Sequence, residues 1–446
     1  MRPSAAPGQR FEAAALARRF VKVRAQTEAL ADPLSDEDCQ VQSMPDASPV
    51  KWHLAHVTWF FETVVLERFE PNFAPHHPAF RVLFNSYYNG IGDQHPRAQR
   101  GLVTRPSRSE VQGYRSAVDQ RVMALLDAPP ARPDDLEALH RMVELGLQHE
   151  QQHQELLLTD LLHLFSCNPL LPVYQPRWPL ATVAPTPLDW VDFDGGLVET
   201  GHDAAVSFGF DNETPRHRTW LEPYALGNRL VTNGEWQAFI ADGGYRDARW
   251  WLAAGWDWLR ADGIQAPMYW RAGSDAPDAW PHCFTLHGVV PVDPHTPVTH
   301  ISLYEADAFA RWSAAQQGLK LRLPTESEWE HAAAPLAAAR IAAGNFLESR
   351  SLHPVPVASH QAGGHGVMQM FGDVWEWTGS SYLPYPGYQG WEGVVGEYNG
   401  KFMANQTVLR GGSCATPRDH IRASYRNFFP ADARWQFSGL RLACDP

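Results

Sequence analysis

The stretch Leu145-Gly146-Leu147-Gln148-His149-Glu150-Gln151-Gln152-His153-Gln154-Glu155 constrains this chain more than any other. Around it Leu139, Met142, Gly146, His149, His153, Leu156 and Asp160 recur at steps of three and four. That spacing puts them on one stripe of a long helix. Two imidazoles one turn apart on an apolar stripe can grip one metal ion together, or can be core histidines satisfied by hydrogen bonds. The pair alone leaves both readings open, and donors from a facing helix would decide between them.

Three more helices are expected in the first third. One spans about 11–31. A second starts at Ser48-Pro49, a capping hydroxyl followed by proline at the first helical position, and runs to about 69. A third opens at the capping box Ser107-x-x-Glu110 and ends near 127, and the histidine-bearing helix covers about 134–165. Four long helices with modest connections suggest a bundle, whose metal sites form in the core from facing helices. In the second helix Trp52, His56, Trp59, Thr63 and Leu66 share a stripe, so His56 is a third inward-looking histidine. His53, one turn earlier, competes for that role. The segment 81–92 is a loop broken by glycine and asparagine. Its adjacent Tyr87 and Tyr88 serve packing or chemistry.

The second half differs. A proline-rich linker at 167–188 precedes short strand-like runs, long loops and most of the eighteen tryptophans. Capping boxes at Thr232/Glu235, Ser302/Glu305 and Thr325/Glu328 announce three helices, the second ending at Gly318. The expected class is α+β, with a bundle at 1–166 and a second domain at 189–446. A net charge of −13 without a block of Lys or Arg makes nucleic acid and anionic membrane poor partners. No stretch is long and apolar enough to cross a bilayer, and the N-terminus has no apolar h-region. Five widely spaced cysteines without C-x-x-C argue against a disulfide scaffold and fit a reducing cytoplasm.

Four motifs then stand in order: Leu321-Arg322-Leu323-Pro324-Thr325-Glu326-Ser327-Glu328-Trp329-Glu330, Gly372-Asp373-Val374-Trp375-Glu376-Trp377-Thr378, Leu409-Arg410-Gly411-Gly412-Ser413 and Ser438-Gly439-Leu440-Arg441. With them the second half resembles the formylglycine-generating-enzyme-like fold, a variant of the C-type lectin fold. The first half resembles the DinB-like helical domain with its three-histidine metal site. Together with Lys51-Trp52-His53-Leu54-Ala55-His56 and Tyr425-Arg426-Asn427-Phe428-Phe429-Pro430, the whole resembles the non-haem iron sulfoxide synthases of ergothioneine biosynthesis and their relative, selenoneine synthase.

The resemblance implies Fe(2+) held by His56, His149 and His153, with His53 a structural neighbour. It implies catalytic roles near the oxygen-binding side for Tyr87 and Tyr88. Gln152, Asn427, Phe428 and Phe429 match positions around bound hercynine, whose trimethylammonium group suits aromatic faces. The implied reaction joins sulfur from a thiol such as cysteine, or selenium from a selenosugar, to imidazole C2 of hercynine, with O2 as oxidant. Arg81, Arg97, Arg100 and Arg105 are candidates to hold a donor carboxylate. Asp160 is expected to make a buried hydrogen bond, and Glu150 and Glu155 have no assigned role. A formylglycine-generating oxidase needs a copper-binding cysteine pair that Cys414 and Cys444 do not supply. A zinc-dependent DinB-type thiol transferase and a non-catalytic lectin-like binding protein are the alternatives.

Overall fold

The computed structural model describes residues 7–130, 132–176, 186–273, 279–357 and 366–446. The chain forms two compact units: Met1–Cys167 with Gly393–Glu397, and Asn168–Glu392 with Tyr398–Pro446. Among the described residues no helix is long and apolar enough to cross a membrane.

The first unit is built on four long helices. Pro7–Ala31, Arg108–Asp127 and Pro133–Cys167 are continuous. The second runs Val50–Phe60, passes through a π-helical stretch at Phe61–Leu66, and ends at Glu67–Phe69. The Ser107/Glu110 box caps its helix on both sides, as its spacing demands. The cap expected of Ser48 does not form. Pro49 is the N-cap residue and no side chain bonds the helix end. Ser48 is turned to tertiary partners instead: its hydroxyl accepts from Arg100 and its N–H donates to Asp160. Val50–Phe60 is buried on every face, so the helix runs through the middle of the unit.

Helix separation is set at Gly146. A Cβ there would lie 2.5 Å from a ring carbon of Phe61. The missing side chain admits that ring, which is fully buried and edge-on to Phe20. The Val50 and Pro133 helices approach closely one turn before His149.

In the second unit one antiparallel sheet has the order Trp190–Phe193, Tyr224–Gly227, Ala443–Asp445, Lys320–Arg322. Another has the order Asn427–Phe429, Thr407–Arg410, Trp375–Ser381, Ser438–Gly439, the last pair parallel. All three capping boxes form, and Gly318 closes its helix in the left-handed conformation. Buried ion pairs join the first motif to the third and the second to the fourth. Arg410 reaches Glu326 at 3.0 Å and Glu330 at 3.0 Å, and Arg441 reaches Glu376 at 3.0 Å. Charges this deep persist only with partners at this range. The expected linker at 167–188 falls partly on 177–185, outside the described residues. Before that gap Tyr174 and Gln175 bond the Leu286 carbonyl of the second unit.

Candidate metal centre

His56 on the Val50 helix meets His149 and His153 on the Pro133 helix. One ring nitrogen of each lies within 4.8 Å of the others. His56 Nε2 and His149 Nε2 are 3.2 Å apart. Two ring nitrogens on one ion at about 2.1 Å stand about 3.0–3.4 Å apart, so the spacing suits a shared metal. The rings are held from outside. His56 Nδ1–H donates to the Phe84 carbonyl at 2.6 Å, leaving Nε2 for the centre. Trp52 and Trp59 stack on the two sides of the His56 ring, at 4.5 and 5.5 Å. Phe60 lies 4.6 Å from the His149 ring.

Burial keeps these imidazoles neutral. It holds His56 and His153 well below the ordinary histidine range, helped by the neighbouring rings, and pushes His149 down to about 3. Neutral imidazole is the form that binds a metal. Three such donors without a carboxylate leave coordination positions open for exogenous ligands.

His53 belongs to the second row of contacts. Its Nδ1 is 2.8 Å from His153 Nδ1 and its Nε2 is 3.0 Å from Asp160 Oδ2. The buried hydrogen bond expected of Asp160 is thus present, with His53 as partner. Glu150 takes a structural part that its spacing did not reveal. It is fully buried and paired to Arg24 at 2.8 Å and Arg115 at 3.2 Å. Neither arginine is marked by any motif.

The tyrosine loop follows the short helix Phe80–Leu83. Asn85, fully buried, organises it: its amide N–H groups donate to the carbonyls of Tyr88, Gly92 and Asp93, and its oxygen accepts from Tyr88 N–H. Glu397 adds a clamp, accepting from Asn89 N–H at 2.9 Å and Gly90 N–H at 2.7 Å. Tyr88 is buried against Trp59 and Phe60, and Tyr87 stacks on Tyr88 at 4.8 Å. Burial raises the Tyr87 phenol above its ordinary value, so it keeps its proton.

Of the four candidate arginines, Arg81 pairs with Glu67 at the surface, Arg97 donates to the Asp46 carbonyl, and Arg105 bonds the Thr104 carbonyl. Arg100 is different. It is 5% exposed, lies 3.4 Å from the centroid of Trp52, and donates to Ser48 Oγ. No carboxylate among the described residues hydrogen-bonds it, and its Nε has no partner. Burial, with Arg97 nearby, pushes its guanidinium down to about 9.

Gln152 lies on the Pro133 helix next to His153, partly exposed. Asn427, Phe428 and Phe429 form a half-buried strand in the second unit. Phe428 lies flat on Tyr382 at 4.0 Å with Phe402 at 5.9 Å, and Phe429 meets Trp435 at 6.0 Å. Asn427 Oδ1 accepts from Phe428 N–H. Among the described residues no disulfide joins the cysteines, and Cys414 is fully buried.

Comparison with known proteins agrees with this anatomy. Residues 19–157 match the DinB superfamily, and residues 181–446 match the sulfatase-modifying factor enzyme 1-like domain. The chain is 36% identical to hercynine oxygenase of Mycolicibacterium thermoresistibile over 97% of its own length and 95% of that protein. The chain belongs to the hercynine oxygenase family. Hercynine oxygenase of Mycobacterium tuberculosis is 34% identical over 96% of this chain and 98% of its own. A formylglycine-generating enzyme of Streptomyces coelicolor is 28% identical over only 50% of this chain and 77% of its own. As a member of this family the chain is an oxygenase with a histidine triad able to hold a metal ion.

Proposed function

We propose that the chain is an Fe(II)- and O2-dependent synthase that joins a chalcogen to imidazole C2 of hercynine. His56, His149 and His153 would hold the iron. The observation that carries this reading is the three-imidazole cluster, neutral and carboxylate-free, in a chain that matches hercynine oxygenases over nearly its full length. Bound iron would supply one-electron transfer to dioxygen, which no side chain can do. Substrates brought to one ion lose the entropic cost of meeting each other.

The chain's own groups supply the rest. Tyr87 and Tyr88 hold phenolic protons for oxygen reduction, and Asn85 fixes their loop. By the family resemblance Phe428 and Phe429 would offer aromatic faces to the trimethylammonium group, with Asn427 and, on the bundle, Gln152 as candidate polar contacts. Arg100 favours a donor with an anionic group. A buried guanidinium backed by an indole, with Asp160 near but no carboxylate hydrogen-bonded to it, suits the carboxylate of a thiol such as cysteine better than an uncharged selenosugar. Cysteines that form no disulfide among the described residues suit work in a reducing cytoplasm.

The test starts from anaerobic Fe(II) protein with hercynine and either cysteine or a selenosugar, followed by oxygen. Oxygen uptake and a C2-substituted product by mass spectrometry are expected, with cysteine preferred. No uptake and no product with any donor overturns the reading. Turnover with zinc and without oxygen would instead establish the thiol-transferase alternative.

A further inference from the structure

We infer that Asp160 and His53 form a relay that fixes the tautomer and orientation of His153, so that His153 presents Nε2 to the metal. The inference rests on the metal-site reading above. It adds two positioning residues, neither of which ligates.

The argument is one of donors and acceptors. Asp160 Oδ2 accepts from Ser48 N–H at 2.7 Å, which anchors the carboxylate to the start of the Val50 helix. The same oxygen lies 3.0 Å from His53 Nε2. A carboxylate only accepts, so Nε2 of His53 carries the hydrogen. The relay takes His53 as neutral, its single N–H on Nε2, so that Nδ1 is left with a lone pair. That lone pair faces His153 Nδ1 at 2.8 Å, and two lone pairs do not approach so closely. Nδ1 of His153 therefore carries its hydrogen, and Nε2 is the atom left to bind. His56 reaches the same tautomer through the Phe84 carbonyl. Both rings are thus set before any ion arrives.

The relay also has a purpose in the bundle. His153 is partly exposed, whereas His56 is fully buried between two indoles. His153 lacks that aromatic clamp, and a hydrogen bond to its far nitrogen restrains the ring. Second-row partners of this kind change metal affinity by about 10–100-fold.

The test uses the full-length protein and two readouts that do not need turnover. In metal-free protein with 15N-labelled histidine, long-range 1H–15N spectra should show His153 as the Nδ1–H tautomer and His53 as Nε2–H. Cobalt(II) and zinc(II) affinities by competition should fall about 10–100-fold in His53→Phe and in Asp160→Leu. Asp160→Asn keeps an acceptor oxygen and should stay within about threefold of the unsubstituted protein. His153 found as the Nε2–H tautomer overturns the relay. So does folded His53→Phe or Asp160→Leu protein that binds cobalt as tightly as the parent. Should the variants fail to fold, the spectra of the parent still decide. A chain that binds metal through this relay yet leaves hercynine untouched would sink the proposed reaction and spare the relay.

Discussion

Gly146 faces the ring of Phe61 so closely that a Cβ would sit 2.5 Å from Cε1. This contact joins the helix carrying His56 to the helix carrying His149, and the distance between the donors depends on it. Gly146→Ala raises intrinsic helix propensity by about 1 kcal/mol. Overpacking opposes this, because Phe61 is fully buried and has no room to swing. We expect net destabilisation of about 1–3 kcal/mol in urea unfolding, and weaker metal binding. Gly146→Ala with Phe61→Leu should recover most of both.

Glu150 neighbours His149 in sequence yet bears on folding rather than chemistry. Its carboxylate lies between Arg24 and Arg115, both almost fully buried. Glu150→Gln removes the carboxylate the two guanidinium groups share and leaves Arg24 with Asp119 at 2.8 Å and Arg115 with Glu28 at 3.5 Å. A buried charge left wholly uncompensated costs about 3–5 kcal/mol, and the retained partners hold the loss here below that. Denaturant midpoints should drop accordingly. Protein that still folds should keep its metal stoichiometry.

Arg100→Gln tests donor recognition. Loss of a charge-assisted, two-point contact should raise the KM for an anionic thiol about tenfold or more and leave the KM for hercynine nearly unchanged. Arg100→Lys should not restore it, because a point charge cannot reproduce a planar fork stacked on Trp52. Equal loss for both substrates, measured by steady-state oxygen uptake, would place Arg100 in the framework instead.

The imidazole cluster sets a pH dependence for the metal-free protein. Folded His149 stays neutral down to about 3, and His56 and His153 are held well below 6.5 by the same burial. In the unfolded chain these groups take up protons near pH 6.5. Below that pH the unfolded state binds more protons, so stability falls with falling pH. It is fully present above about 6.5 and is lost progressively toward about 3. Guanidinium unfolding at pH 8, 7, 6 and 5 should give equal midpoints at the first two and declining ones after. A flat profile to pH 5 would mean that the rings are solvated.

What could be read from the sequence follows from the range of each interaction. Capping boxes such as Ser107/Glu110 and Ser302/Glu305 are complete within four residues, and all four expected ones formed. The stripe holding His149 and His153 is local in the same sense. Ser48 shows the limit. Its neighbours spelled a cap, but Arg100 and Asp160, 52 and 112 residues away, took its polar groups. The link from Asp160 through His53 to His153 spans about the same separation and carries no signature. Asn85 looked like a loop residue, and only coordinates show four hydrogen bonds turning inward. The motif glutamates and arginines of the second half were visible as types, and their pairing was not.

The clamp on the tyrosine loop comes from Glu397, in the five-residue segment Gly393–Glu397 that clusters with the helices although it lies more than two hundred residues beyond them in the chain. The helical half is therefore not a transplantable cassette. Cutting the chain at the proline-rich junction would separate the loop from its fastening.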